Sequence, residues 1–250
     1  MTCAVISDIH SNKEALDAVL SEIAALAVDE VWCLGDIVGY GPDPDECTRE
    51  VLARCDAIVR GNHDKAVVGL IDLDWFNGIA REAALWNREH AARETLSVLR
   101  GLPRGPIEVE DGAALCHGTP VDEDEYMLSS TAVEQSFGWM DRRNSGIVAC
   151  FHGHSHLPMV IERPGSGKRQ VKVHRNDAEI HLNPDSVYLI NPGSVGQPRD
   201  GNPRASFGIF DSKSLVYRNL RVSYDMKETQ RKIRAAGLPV ELALRLAEGR

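Results

Sequence analysis

Short apolar runs alternate with helix-period segments through the first sixty residues. Cys3–Ile6 is apolar at every position, the pattern of a strand covered on both faces. Behind it, Ser11-Asn12-Lys13-Glu14 has capping-box spacing, and Ala15, Leu16, Val19, Leu20 and Ile23 recur at helical spacing. The unit then repeats: a strand at Val31–Leu34, the turn-rich Gly39–Pro44, a helix over Asp45–Arg54 and a strand at Ala57–Val59. Such alternation predicts βαβ crossovers, which place functional sites at the carboxyl ends of strands.

Asp74–Arg100 reads as helical, with Ile79, Ala83, Trp86, His90 and Ala91 as its apolar stripe. From Ile107 the chain turns strand-rich. Strands are predicted at Ile107–Val109, Ala114–Cys116, Ile147–Phe151, Met159–Glu162, Gln170–His174, Val187–Ile190, Ser206–Phe210 and Leu215–Leu220. A turn signal sits at Asp111-Gly112, a helix at Thr131–Met140, and two closing helices at Asp225–Ala236 and Val240–Glu248. An α/β first half followed by an antiparallel-rich second half predicts a four-layer α/β/β/α sandwich of two mixed sheets, in one domain over residues 1–250.

Composition narrows the function more than the fold. With 250 residues, 43% of them hydrophobic, the chain can bury a full core. A net charge of −9 disfavours a protein that coats nucleic acid through its phosphates. Six cysteines are scattered without a CxxC pair, as expected for reduced thiols in a cytoplasmic protein. No apolar run approaches the ~18 residues of a membrane span.

Chemistry-bearing residues cluster in six blocks at the ends of apolar runs: Asp8-Ile9-His10, Gly35-Asp36, Gly61-Asn62-His63-Asp64, Cys116-His117-Gly118, His152-Gly153-His154-Ser155-His156 and Asn191-Pro192-Gly193-Ser194. Oxygen and nitrogen donors without a thiolate suit Mn, Fe, Co, Ni or Zn better than Ca or Cu(I). Asp8 and His10 are two apart, as are His154 and His156, so in an extended chain each pair faces one side about 6.5 Å apart. One pair could then address two ions ~3.5–4 Å apart, or share one.

The order DxH, GD, GNH, a lone H and GHxH over Asp8 to His156 resembles the calcineurin-like metallophosphoesterase superfamily, in particular its compact bacterial phosphodiesterases and diadenosine-tetraphosphatase-like members. The resemblance implies the same sandwich fold and two transition-metal ions. Asp8, His10, Asp36 and His156 would hold one, and Asp36, Asn62, His117 and His154 the other, with Asp36 shared. It further implies attack of metal-bound hydroxide on phosphorus, with His63 as general acid or leaving-group stabiliser and Asp64 as its orienting partner, favouring the charged ring. Arg60 and Arg199 are candidate phosphate donors. Tyr40, and less directly Tyr126, offer stacking faces for a base.

Protein phosphatases of this superfamily carry GDxVDRG, which Gly35–Gly41 does not reproduce, so a small phosphodiester or nucleotide is the expected substrate. A phosphomonoesterase or protein phosphatase on the same site is the alternative; a non-catalytic scaffold would be expected to have lost His63. Elsewhere the simpler readings win. His152 is expected to be structural and His90, His174 and His181 ordinary; Asp122–Glu125 reads as a solvated loop, and Trp32, Trp75, Trp86 and Trp139 as packing residues.

Overall fold

A computed structural model describes residues 1–109, 112–143 and 146–250; the Asp111 position of the expected turn lies outside the described residues. The strands in chain order are β1 (Thr2–Ile6), β2 (Glu30–Cys33), β3 (Ala57–Ile58), β4 (Ile107–Val109), β5 (Ala113–Leu115), β6 (Ala149–Phe151), β7 (Met159–Pro164), β8 (Gln170–Val173), β9 (Ala178–His181), β10 (Ser186–Asn191), β11 (Ala205–Asp211) and β12 (Val216–Val222). The helices are α1 (Lys13–Ala25), α2 (Pro44–Arg54), α3 (Asn62–Val67), α4 (Gly78–His90), α5 (Arg93–Gly101), α6 (Ser130–Asp141), α7 (Met226–Ala235) and α8 (Val240–Glu248). They build two six-stranded mixed sheets, ordered β3-β2-β1-β11-β12-β9 and β4-β5-β6-β10-β7-β8.

Strand alternation explains the two cores. Cys3 and Val5 of β1 join Trp32, Phe151, Ile190, Phe210 and Tyr217 between the sheets. Ala4 and Ile6, on the opposite face, meet Leu16, Val19 and Ile23 of α1. On the far side α6 lays Phe137 and Met140 against Ala114, Cys150 and Leu189. In the centre, β1, β2 and β3 run parallel, as do β5, β6 and β10. Every chemistry-bearing block therefore leaves the carboxyl end of one of six parallel strands, which gathers them at one edge of the sandwich.

Some local expectations are corrected. The cap of α1 is Asn12, whose Oδ1 accepts from Ala15 N at 3.2 Å, because Ser11 adopts a left-handed φ of 51°. The 74–100 segment breaks into a 3-10 turn at Leu73–Trp75 followed by α4 and α5. Its stripe is offset by one residue: Ala80, Ala83, Ala84 and Asn87 are buried, while Ile79 and Trp86 pack partly buried toward α7 and α8. Trp75 is 89% exposed instead of packed. The short edge strand β9 has no counterpart in the sequence reading. No disulfide forms among the described residues, and no described helix is long and apolar enough to cross a membrane.

Candidate active site

The site is built on strained backbone. Asp8, His10, Asp36, His154 and His156 have φ of 54°, 51°, 53°, 64° and 57°. The DxH and HxH pairs are therefore not extended, as the two-residue spacing had suggested, but lie in left-handed turns beyond β1 and β6. Non-glycine residues in this region cost roughly 1–3 kcal/mol each and persist only where their surroundings over-determine them. Here they do: Asp8 N donates to Gly35 O (3.0 Å), His10 N to Asp36 O (2.9 Å), and Gly196 N and Ser194 Oγ to Asp8 O (2.9 and 2.8 Å). Asn87 of α4 ties the loops together, accepting from Ser11 Oγ (2.8 Å) and Gly39 N (3.1 Å) and donating to Gly41 O (3.1 Å). Gly61 is fixed by crowding, since a Cβ there would lie 2.0 Å from Asp36 Oδ1.

Three imidazoles are oriented alike. Nδ1 of His10, His117 and His156 lies 3.1, 2.8 and 2.6 Å from the carbonyl oxygens of Val38, Leu34 and Gln197. Each can meet that oxygen only as an N–H donor, which turns Nε2 inward; in the neutral ring Nε2 is then a bare acceptor. His10 Nε2 and His156 Nε2 nonetheless sit 3.2 Å apart, with Asp36 Oδ2 3.6 Å from the former and Asp8 Oδ1 3.5 Å from the latter. His117 Nε2 lies 3.3 Å from Asp36 Oδ2 and 3.2 Å from Asn62 Oδ1. His154 gives Nε2 to Asp124 O (3.1 Å), which leaves Nδ1 for a ligand.

Asp8 Oδ2 and Asp36 Oδ2 are buried without a hydrogen-bond partner among the described residues. Acceptors facing acceptors, with two orphaned carboxylate oxygens, fit divalent cations by their chemistry. Burial pushes His10 and His156 well below the ordinary histidine pKa and His154 to about 3, so these rings are neutral and competent as ligands at pH 7. Burial also opposes charge on His117, but Asp36 and Asp8 outweigh it and push its pKa up to about 10. A proton there answers the carboxylates, a charge role that a metal cation would take over.

His63 departs from expectation. Asp64 does not touch its ring: the Asp64 carboxylate accepts from Asp36 N, Ile37 N, Val38 N and Gly61 N at 2.9, 2.9, 3.2 and 2.8 Å. A carboxylate that satisfies four converging N–H groups has no lone pair aimed at an imidazole. His63 Nδ1 is instead shut without a partner against Gly39, where a Cβ would come within 2.5 Å, and Nε2 is the nitrogen left to face the cavity described below. Burial pushes its pKa down to about 4, opposite to the charged form that a carboxylate partner would favour. Asp64→Ala should therefore act on stability, orphaning four buried donors at a combined cost of about 3–5 kcal/mol. Urea denaturation measures it; a loss below about 1 kcal/mol would contradict the assignment.

The family description of the calcineurin-like phosphoesterase superfamily domain matches residues 1–215. The chain belongs to that superfamily. A metallophosphoesterase crystal structure from Sphaerobacter thermophilus superposes with a TM-score of 0.85 at 37% identity, covering 100% of this chain and 99% of that one. A protein of Methanocaldococcus jannaschii is 41% identical over 252 residues, 99% of this chain and 98% of that one. The symmetrical bis(5'-nucleosyl)-tetraphosphatase of Erwinia tasmaniensis is 37% identical over 67 residues only, 26% of this chain and 24% of that enzyme. The protein is a metal-dependent phosphoester hydrolase.

Beside the ligand cluster of this phosphoesterase opens a cavity of about 610 Å³, with Asn62, His63 and His154 lining it together with Trp75, Phe76 and Tyr126. Tyr40 is not a free stacking platform. It is buried, its ring 4.6 Å from His10 and 4.4 Å from His63, with the Arg245 guanidinium 5.2 Å away, so packing has consumed its faces. Tyr126 is 45% exposed and stacks on His154 at 3.9 Å. Arg60 is turned to Glu123 (3.1 Å), away from the phosphate role expected of it. Arg199 holds Tyr40 Oη (3.3 Å) and Gln197 Oε1 (3.1 Å).

The acidic run is not a freely solvated loop either: Glu123 is buried against Arg60 and Lys65, while Asp122 and Asp124 edge the cavity. His152 is buried, its Nδ1 3.3 Å from Asn191 Nδ2. Sequence reasoning missed Asn87 and Trp75. An asparagine on the apolar stripe of α4, and an aromatic pair held between Asp72, Asp74 and Asn77, were the available signals.

Proposed function

We propose that residues 1–250 form one domain hydrolysing a small phosphodiester or nucleotide at two divalent transition-metal ions. Asp8, His10, Asp36 and His156 would hold one ion and Asp36, Asn62, His117 and His154 the other, with Asp36 between them. The observation that carries this reading is the convergence of bare Nε2 atoms with the orphaned Asp8 and Asp36 oxygens beside an open cavity. Bound ions would supply Lewis acidity toward phosphoryl oxygens and lower the pKa of water from ~15.7 to about 7.

The chain's own residues do the rest. Asn62 adds a neutral donor, leaving more of the cationic charge for the substrate. His63 is held by Tyr40 and by Phe76, 5.0 Å away, and presents Nε2 to the leaving oxygen. The cavity walls take the organic part of the ester. Six free thiols, five of them buried, fit a reducing compartment such as the cytoplasm.

Elemental analysis after metal-replete expression, with turnover of bis-p-nitrophenyl phosphate and p-nitrophenyl phosphate, tests the proposal. Two ions and diester turnover are expected. A stoichiometry that never exceeds one overturns the two-ion reading, turnover of the monoester alone makes the protein a phosphomonoesterase, and ions without any turnover leave a scaffold.

A further inference from the structure

The cavity's charge is as informative as its shape. Asp72, Asp122 and Asp124 line it, and neither lysine nor arginine does so among the described residues. The nearby cations are spent behind the wall: Lys65 Nζ lies 3.0 Å from Glu123 and 2.6 Å from Asp124, and Arg60 also binds Glu123. Asp72 and Asp122 have no ion pair among the described residues. Each has one oxygen fixed by a backbone N–H, from Asp74 and Asp124 respectively, both at 2.9 Å.

Aromatic side chains line the same cavity as these carboxylates. Trp75 is 89% exposed on the cavity wall, and Tyr126 has one face on His154. His63, Asn62 and His154 line the same space, so the acidic wall belongs to a cavity that reaches the candidate catalytic groups.

Carboxylates next to open aromatic faces attract an organic cation through charge and through the ring quadrupole. The same wall repels a second phosphate, for which no counter-charge is present. A neutral nucleobase could stack on Trp75 but gains nothing from the charge of Asp72 and Asp122.

Resting on the phosphodiesterase reading above, we propose that this cavity selects a diester with a single phosphate whose organic arm carries an alkylammonium group. The ammonium sits between Trp75 and Tyr126 against Asp72 and Asp122, and polyphosphates are excluded. A cavity of about 610 Å³ accommodates both arms of such an ester.

The test pairs p-nitrophenyl phosphorylcholine with p-nitrophenyl 3,3-dimethylbutyl phosphate, the isostere whose arm carries no charge. Both release p-nitrophenolate as water adds across the P–O bond, so leaving group and shape match and only the charge differs. The expected kcat/KM ratio is about 10-fold in favour of the cation, the scale of a desolvated cation–π contact. It should shrink as salt rises and fall toward one in Trp75→Ala and in the double variant Asp72→Asn, Asp122→Asn. The dimethylbutyl ester measured in each variant is the internal reference for folding and metal content.

Equal rates on the two esters, a preference that survives both variants, or faster turnover of thymidine 5'-monophosphate p-nitrophenyl ester would overturn the cation assignment. Absence of turnover for the dimethylbutyl ester and for bis-p-nitrophenyl phosphate alike would overturn the diesterase reading, and this one with it.

Discussion

Asp36→Asn should empty both metal positions, whereas His156→Ala should deplete mainly one. Asp36 Oδ2 lies between His117 Nε2 at 3.3 Å and His10 Nε2 at 3.6 Å, so it serves both halves of the ligand cluster, while Oδ1 accepts from His63 N at 2.8 Å. The amide keeps that last bond and removes the charge. Loss of an outer-shell partner already weakens metal binding about 10–100-fold, so loss of a shared ligand should exceed about 100-fold at each ion.

Turnover should fall to background and metal content approach zero after dialysis. In the ion-free protein burial opposes charge on Asp36, but His117, His63 and His10 outweigh it and hold the carboxyl well below the usual carboxylate range. The amide should therefore also destabilise the ion-free fold, by about 3–5 kcal/mol for a broken buried pair. What disappears as well is the ion-dependent rise in melting temperature, worth about 2.7 kcal/mol when free metal is at 100 times Kd. Retention of one full equivalent of metal by Asp36→Asn would show that the carboxylate is not shared.

His63→Ala should retain both ions and the fold yet slow turnover by about 10²–10⁴, the range for losing a positioned acid. His63 makes no hydrogen bond to Asp8 or His117 among the described residues; its ring lines the cavity and packs on Tyr40 and Phe76. The slowing should shrink for p-nitrophenyl esters and grow for alkyl esters, whose leaving oxygen needs the proton. Equal losses across that series would mean that the ring stabilises phosphoryl charge instead. The Asp64 carboxylate is taken by four backbone N–H groups, so Asp64 variants should alter stability and metal content without reproducing this dependence on leaving group.

The fold was largely legible along the chain. Continuous apolar runs such as Cys3–Ile6 can be covered only from two sides, and strands alternating with helix-period segments can pair only through crossovers. Such a sheet collects the loops at its carboxyl edge; the superfamily resemblance implied Asp8 beside His156, and Asp8 Oδ1 lies 3.5 Å from His156 Nε2. Short, exposed or irregular pieces were less legible. The edge strand β9 buries too little to leave a pattern, and the 73–101 segment is divided by turns that hydrophobic periodicity does not register.

The sequence by itself determined the residue types of the site, their strand-end positions and hence the superfamily, because donor chemistry and spacing are local properties. Only the tertiary structure decided what each side chain faces. Two-residue spacing promised extended pairs, but long-range backbone bonds hold Asp8, His10 and their neighbours at positive φ. Adjacency promised a His63–Asp64 dyad, but four N–H donors from two loops take the carboxylate. Aromaticity did not distinguish Tyr40 from Trp75; packing against Arg245 and two histidines covers most of the first, which still lines the cavity, and a turn at the rim left the second open. Direction and exposure are set by contacts between segments remote in sequence, and a one-dimensional pattern does not contain them.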